Sequence, residues 1–264
     1  VGRTFYAAIV GADGVQTHKL ETEQLEDNVR RLRKMIQDRD PKVTALAQSL
    51  YRQLVTPIER ALGERRLLVI PHGVLHYLPF GALHDGKQYL LETRPVHYLP
   101  SASTLKFLRG SSGKGITSIL VMGNPDLNNR DYDLPNAQEE AVNLAKLLPN
   151  SELLLRDKAT KAAFTKFAPS FPYLHVASHG EFNADKPLNS RLLLRGEGGA
   201  DGSLTVSELY AMRLNADLIT LSACETGLGK VLSGDDMVGL TRGFLYAGGR
   251  NIVSSLWEVD DAAT

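Results

Sequence analysis

The first half of the chain passes from short runs of hydrophobic residues to helical repeats. Residues Thr4 to Val10 and Val15 to Leu20 flank the turn-forming segment Gly11-Ala12-Asp13-Gly14, which predicts a β-hairpin. Two stretches follow in which apolar residues recur at helical spacing: Leu25, Val29, Leu32 and Ile36, then Leu46, Leu50, Leu54 and Ile58. Pro57 is expected to kink or divide the second helix.

Strand-like runs continue beyond these helices. Leu67 to Ile70 predicts a buried strand, and short strands are expected near Tyr89-Leu90-Leu91 and Val96 to Leu99. The segment Gly110-Ser111-Ser112-Gly113-Lys114-Gly115 is typical of a flexible linker. We therefore expect residues 1–110 to form one subdomain and residues 111–264 another.

The second half alternates strand and helix, which is typical of an α/β fold with a mostly parallel sheet flanked by helices. Ile116 to Met122 predicts a strand that ends in a turn at Gly123-Asn124-Pro125. The apolar face of the next helix is predicted at Ala137, Ala141, Leu144 and Leu148. Leu153 to Leu155 predicts a short strand, with Thr160 capping the helix that carries Phe164 and Phe167.

Two hydrophobic runs end at residues with catalytic chemistry. Residues 173–178 lead into His179-Gly180, and residues 216–223 lead into Cys224, the single cysteine of the chain. If these runs are parallel neighbours, both residues lie at the carboxyl edge of the sheet, where such sheets bind ligands. A neighbouring imidazole activates a thiol, and the backbone N–H groups of Gly180 and Cys224 would stabilise an oxyanion. The pattern predicts a cysteine protease.

Other interpretations of these residues are open. A single cysteine after an apolar run is also typical of a small buried core residue, although the paired strand ends favour catalysis. His175 is expected to be a packed core histidine, and Ser178 and Ser222 to be polar residues at strand ends. His72 and His76 have a spacing that suits a metal, but without an obvious third ligand we expect a structural role and no metal site.

Several segments together resemble a known family, the CHAT domain. They are residues 68–83, 175–182, 222–227, 234–249 and 254–261, and they follow the family's order along nearly the whole chain. CHAT domains are caspase-like and separase-like cysteine peptidase modules that are usually attached to tetratricopeptide repeats. The resemblance implies a caspase-like sheet in residues 111–264, supported by a pseudo-caspase-like N-terminal subdomain.

The resemblance also implies roles for particular residues. His179 and Cys224 occupy the positions of the catalytic dyad, and Glu258, Asp260 and Asp261 are candidates for an acidic S1 pocket that receives a basic P1 side chain. The alternative is that Asp260 caps the next helix and Glu258 is solvated. Ser222 stands where caspases carry Gln and metacaspases carry Asp, so a caspase-type acidic P1 preference is not expected.

The composition of the chain narrows the classes of partner that we expect. Lys plus Arg and Asp plus Glu are both 30 in 264 residues, and no basic stripe predicts nucleic acid or an anionic membrane as a partner. No apolar run approaches the ~18 residues of a membrane span, and no signal peptide is apparent. A single cysteine fits a reducing compartment, so we expect a cytoplasmic protein. No cofactor is expected.

Two function classes follow from these observations. The first is an endopeptidase that cleaves a protein after a basic residue, controlled by attached repeats or a partner. The second is a catalytically silent scaffold or signalling module that binds proteins in the same cleft. Residues 183–202 and 225–236 are polar and rich in glycine, and we expect them to form cleft loops that an activator orders. The ends of the chain suggest a fragment of a longer protein.

Overall fold

The computed structural model describes residues 4–11, 14–63, 66–106, 117–148, 150–183, 185–222, 230–231 and 237–257. The chain divides into two compact units, Val1–Ala102 and Ser103–Thr264. The linker expected at residues 110–115 lies outside the described residues, so the boundary at residue 110 remains a prediction.

The first unit is built from a hairpin, helices and a small parallel sheet. Its strands are β1 (Phe5–Gly11), β2 (Gly14–Leu20), β3 (Leu67–Val69) and β4 (Val96–Tyr98), and its helices are α1 (Leu25–Gln37), α2 (Val43–Leu54), α3 (Glu59–Leu62) and α4 (Leu90–Thr93). Strands β1 and β2 pair in antiparallel fashion, and β3 pairs with β4 in parallel. The predicted hairpin and the first two helices are confirmed.

Local chemistry explains the boundaries of these helices. The apolar residues of α1 face inward, with Val29 and Leu32 fully buried against Leu50 of α2. Helix α2 ends at Leu54, and Pro57 lies in the 3₁₀ turn Thr56–Ile58 that separates it from α3. Pro57 therefore divides the second helical stretch, as predicted, because proline has no N–H to continue the ladder.

Two predictions in this unit are wrong. Residues Leu90 and Leu91 belong to the one-turn helix α4 rather than to a strand, and the Glu92 carboxylate accepts a hydrogen bond at 2.6 Å from the Tyr89 N–H at its start. This cap satisfies a backbone donor that a short strand would leave open. Strand β3 was expected to be buried, yet the side chain of Leu68 is half exposed.

The second unit contains the central sheet. Its strands are β5 (Ile119–Pro125), β6 (Ser151–Arg156), β7 (Tyr173–Ala177), β8 (Gly180–Glu181), β9 (Arg191–Leu193), β10 (Ser203–Thr205), β11 (Leu218–Ser222), β12 (Lys230–Val231), β13 (Met237–Val238) and β14 (Ile252–Ser254). Its helices are α5 (Pro135–Leu147), α6 (Lys161–Phe167), α7 (Val206–Ala211) and α8 (Leu240–Ala247). The predicted alternation of strand and helix is confirmed.

Five of these strands form one parallel sheet in the order β14-β11-β7-β5-β6. Side chains of β5 alternate between its two faces, with Leu120 and Met122 in one cluster and Ile119 and Val121 in another. The first cluster includes residues of α6, α7 and α8, and the second is covered by α5. The fold is therefore mixed α/β with helices on both faces of a parallel sheet, as the sequence predicts.

Helix α5 lies close to the sheet because β5 contains a glycine. A Cβ atom at Gly123 would lie 2.6 Å from the Cβ of Ala141 and 3.0 Å from the Ala137 carbonyl oxygen. The predicted turn at Gly123-Asn124-Pro125 is wrong, since these residues form the buried end of β5. A glycine within a strand marks such a close approach as often as it marks a turn.

Part of the polar segment 183–202 forms regular secondary structure. It contains the 3₁₀ turn Pro187–Asn189 and strand β9, which pairs on one side with β8 and on the other with β10. This three-stranded antiparallel sheet begins at Gly180, directly after His179. Most of the second expected loop, residues 225–236, lies outside the described residues.

Candidate active site

The structure makes β7 and β11 adjacent parallel strands, as the dyad hypothesis requires. Ala177 pairs in register with Ser222, and each is two residues before a predicted dyad residue. His179 therefore emerges at the carboxyl edge of the sheet, beside the end of the strand that leads into Cys224. Cys224 itself lies outside the described residues, as do the S1 candidates Glu258, Asp260 and Asp261.

The His179 ring is held by a residue of the segment between β5 and α5. Its Nε2 atom lies 3.1 Å from the backbone carbonyl oxygen of Tyr132, and the two rings pack edge to face with centroids 5.0 Å apart. Because a carbonyl oxygen only accepts hydrogen bonds, this contact assigns the proton to Nε2 and leaves Nδ1 as the basic nitrogen.

The backbone around His179 is fixed by β9. The His179 carbonyl oxygen accepts a hydrogen bond from the Leu193 N–H at 2.9 Å, and the buried Ser178 hydroxyl donates to the Leu193 carbonyl. Gly180 follows as the first residue of β8 and pairs with Leu192. These contacts place the predicted oxyanion residue Gly180 in a regular strand directly after the histidine.

Hydrogen bonds from a buried asparagine hold the segment that carries Tyr132 in place. The Asn124 side chain donates to Asp133 Oδ1 and accepts from the Leu134 N–H, both at 2.9 Å. The donation from Asn124, together with an ion pair to Arg156, lowers the pKa of the Asp133 carboxyl group. Asn124 thus fixes the position of the residue that orients His179.

A polar cluster lies between the two dyad strands and α5. The Ser222 hydroxyl donates to Glu140 Oε2 at 2.9 Å, and Glu140 Oε1 lies 3.3 Å from His175 Nε2. Burial lowers the pKa of the His175 imidazole, and the nearby Glu140 carboxylate opposes that shift. His175 is buried, as predicted, but it contacts a carboxylate rather than apolar residues alone.

A cavity of about 490 Å³ lies beside two residues that contact His179, although His179 itself does not line it. It is lined by two groups of residues: Asp126, Leu127, Asn128, Asn129 and Tyr132 after β5, and Leu193, Leu194, Gly196 and residues 199–203 of the β9–β10 hairpin. Tyr132 and Leu193 both contact His179 and line this cavity. Part of the segment predicted to form the cleft, residues 183–202, lines this cavity, and its role in binding a substrate stays a prediction.

Sequence reasoning missed Tyr132 and Glu140. Glu140 carries a signal in retrospect, because it lies within the apolar stripe of α5 between Ala137 and Leu144, where a charged residue is out of place. Tyr132 carries no comparable signal, since its contribution to His179 is a backbone carbonyl group.

Metal and membrane features are absent from the described ranges. No group of three or more His, Cys, Asp or Glu side chains there lies close enough to hold a metal ion. None of the helices in the described part of the chain combines the length and the apolar character that crossing a bilayer requires.

Comparisons with known proteins relate the chain to a family and to two longer proteins. The family model of the CHAT domain matches residues 44–264. The chain is 26% identical over 279 aligned positions to tetratricopeptide repeat protein 28 of Mus musculus, and 24% identical over 274 positions to that of Homo sapiens. Each alignment covers 82% of this chain but 11% of the relative, so the chain spans about a tenth of the length of these relatives.

Proposed function

Because the chain belongs to the CHAT domain family, which is caspase-like, we propose that it is a cysteine endopeptidase with His179 and Cys224 as its catalytic dyad. The observation that carries the proposal is the pairing of β7 with β11. Their carboxyl ends lie side by side, with His179 two residues beyond one register partner and Cys224 two residues beyond the other. Ligands of parallel sheets bind at this edge.

The orientation of His179 suits a general base. With its proton on Nε2, toward the Tyr132 carbonyl, the imidazole keeps Nδ1 free to accept a proton. In the proposed reaction, Nδ1 takes the Cys224 proton, and the sulfur attacks the scissile carbonyl carbon. The backbone N–H groups of Gly180 and Cys224 stabilise the oxyanion that forms.

In the remaining steps, His179 passes its proton to the leaving group and the thiol is restored. The imidazolium of His179 gives its proton to the leaving amine, and the peptide bond breaks to leave an acyl-enzyme. Water then attacks the thioester while His179 accepts its proton, and the carboxylic acid product leaves as the thiol is restored. Every step uses one acid-base group and one nucleophile, so the proposed reaction needs no cofactor.

We propose a basic P1 preference from the resemblance to separase-like peptidases, in which an acidic residue shortly after the Trp-bearing strand receives a basic P1 side chain. Glu258, Asp260 and Asp261 follow Trp257 and carry the negative charge that an arginine or lysine side chain would pair with. Ser222 does not supply a carboxylate of its own at its position. The substrate we propose is therefore a protein segment with Arg or Lys before the scissile bond.

The surrounding protein is proposed from the relatives. Both matched relatives are named as tetratricopeptide repeat proteins, and they extend far beyond the aligned region. We expect this chain to be controlled by such repeats or by a partner that they bind. A dyad with a free thiol functions in a reducing compartment, which supports the cytoplasm as its location.

A peptide library tests this function. The full-length protein, its Cys224→Ala and His179→Ala variants, and a His72→Ala control are incubated with a positional-scanning peptide library under reducing conditions at neutral pH. His72 is a matched control because it also precedes a glycine, follows strand β3 along the chain and is exposed. We expect cleavage after Arg or Lys in the wild type and the control, and none in the dyad variants.

Other outcomes would redirect the proposal. Cleavage after other residues would retain the dyad and remove the acidic pocket. Peptide binding that Cys224→Ala leaves unchanged, with no cleavage by any form in the presence of the repeats, would favour the scaffold module instead. Cleavage that persists in both dyad variants would contradict the dyad.

A further inference from the structure

One side chain of α5, Glu140, reaches both strands that lead into the proposed dyad. Its Oε2 atom accepts the hydrogen bond from Ser222 on β11, and its Oε1 atom contacts His175 on β7. Ser222 and Ala177 are register partners. Glu140 therefore bridges two adjacent strands near the edge where they end.

Ser222 extends this link to the backbone beside His179. Its carbonyl oxygen accepts a hydrogen bond from the Ser178 N–H at 3.2 Å, and Ser178 directly precedes His179. The Ser222 side chain is therefore bound by Glu140, and its carbonyl oxygen binds Ser178, the residue before the proposed base. In the sequence Ser222 stands two residues before Cys224. A displacement of Ser222 would therefore affect both the backbone beside His179 and the chain that leads to Cys224.

The hydrogen bond from Ser222 to Glu140 is partly shielded from water. The Glu140 side chain is 33% exposed and that of His175 is 6% exposed, so water reaches the carboxylate only in part. A hydrogen bond to an ionised acceptor is about twice as strong as a neutral one. Removal of the Glu140 carboxylate would leave the Ser222 hydroxyl without its acceptor and would remove the negative charge 3.3 Å from His175 Nε2.

We propose that Glu140 is a positioning residue for the His179–Cys224 dyad and acts through Ser222 on the ends of both strands. This inference rests on the proposed function, since it assumes that the two strand ends carry the catalytic groups. It assigns no contact between Glu140 and the substrate. Its effect is on the distance and angle at which the imidazole faces the thiol, and hence on the fraction of Cys224 present as thiolate.

Alkylation of Cys224 measures this quantity without a known substrate. Iodoacetamide reacts with the thiolate, so the pH dependence of its rate reports the apparent pKa of the thiol. The full-length protein is labelled between pH 5.5 and 9.5, and mass spectrometry follows the peptide that contains Cys224. The variants are Glu140→Ala, Glu140→Gln, Ser222→Ala and His179→Ala, with Glu139→Ala as the matched control because Glu139 is exposed on the same helix.

We expect Glu140→Ala and Ser222→Ala to lower the alkylation rate at pH 6.5 by about three- to tenfold, the loss expected when one hydrogen bond no longer orients the imidazole. Their pH midpoints should move toward that of His179→Ala. Glu139→Ala should match the wild type. Glu140→Gln should recover most of the rate, because its amide oxygen still accepts from Ser222. A glutamine variant as slow as the alanine variant would overturn the link through Ser222.

The outcomes separate the two proposals. If His179→Ala has the wild-type pH profile, the proposed dyad fails, and with it this inference. If the pH profile of His179→Ala differs from that of the wild type, while the profiles of Glu140→Ala and Ser222→Ala match the wild type, the dyad stands and the positioning role is overturned. Ser222→Ala removes a single oxygen atom and should fold, and thermal melting of each variant identifies any that does not. General destabilisation would lower the melting temperature without moving the pH midpoint of the folded protein.

Discussion

The backbone carbonyl oxygen of Tyr132 lies 3.1 Å from Nε2 of His179, and the rings of the two residues pack edge to face. The carbonyl selects the tautomer of the imidazole, and the ring restricts its rotation. The histidine is therefore oriented by a residue that precedes it by 47 positions in the chain. A general base needs this kind of restraint, because its nitrogen must face the proton that it removes.

Removal of the Tyr132 ring should weaken the restraint and leave the carbonyl in place. An edge-to-face aromatic pair contributes about 0.5 to 1.5 kcal/mol, so Tyr132→Ala should lower kcat/KM by about three- to tenfold. Tyr132→Phe, which keeps the ring, should be indistinguishable from the wild type. Initial rates with a cleaved peptide measure both. Equal rates for the alanine variant and the wild type would show that the ring does not restrain His179.

His175 should make folding stability depend on pH in the acidic range. Its pKa in the folded protein is lowered from the usual value of 6.5 by burial, against the opposing charge of Glu140, so the unfolded chain binds the proton more tightly. The stability linked to the neutral imidazole is fully present above pH 6.5 and is lost as the pH falls through the lowered value.

The linkage is measured from melting temperatures between pH 5 and pH 8. The wild-type melting temperature should fall more steeply below pH 6.5 than that of His175→Gln, whose side chain does not titrate. The comparison uses the slope, because the variant also loses its contact with Glu140 at every pH. Parallel curves for the two proteins would contradict the predicted linkage.

The cap of α6 should contribute measurably to stability. Thr160 is buried, and its hydroxyl oxygen accepts a hydrogen bond from the Ala163 N–H at 3.0 Å. Thr160→Ala should lower the free energy of unfolding by about 1 kcal/mol, while Thr160→Ser, which retains the hydroxyl, should lose less. Urea denaturation gives both values. A serine variant as unstable as the alanine variant would indicate that the methyl group, rather than the cap, stabilises this position.

Gly248 should be intolerant of any side chain. It ends α8 with a φ of 114°, and a Cβ atom there would lie 2.2 Å from the Leu214 carbonyl oxygen. Gly248→Ala should lower the free energy of unfolding by about 3 kcal/mol or more, through backbone strain and the clash together.

Gly198→Ala is the matched control for that clash. Gly198 also has a positive φ, of 60°, but no atom lies within 4 Å of the position of its Cβ. Its substitution should lower the free energy of unfolding by about 1 kcal/mol through backbone strain alone. Equal losses for the two variants in urea denaturation would mean that the structure relaxes around Leu214.

Sequence reasoning succeeded where a regular pattern was long enough to determine an element. The spacing of Leu25, Val29, Leu32 and Ile36 predicted α1, and the two hydrophobic runs before His179 and Cys224 predicted two strands, whose parallel pairing the structure shows. It failed for short segments. Residues Leu90 and Leu91 became helical because Glu92 caps the turn, and β9 formed inside a polar segment because β8 and β10 lie on either side of it.

The order of strands and helices, and the two hydrophobic runs that precede His179 and Cys224, were determined by the sequence itself, because hydrophobic periodicity is a local property. The orientation of His179 by Tyr132 and the bridge from Glu140 to Ser222 were decided by tertiary structure alone. Glu140 and Ser222 are 82 residues apart, and one contact to His179 is a backbone carbonyl that every residue type possesses. Such contacts depend on how α5 and the segment before it pack on the sheet, and the pattern of residues along the chain does not encode that packing.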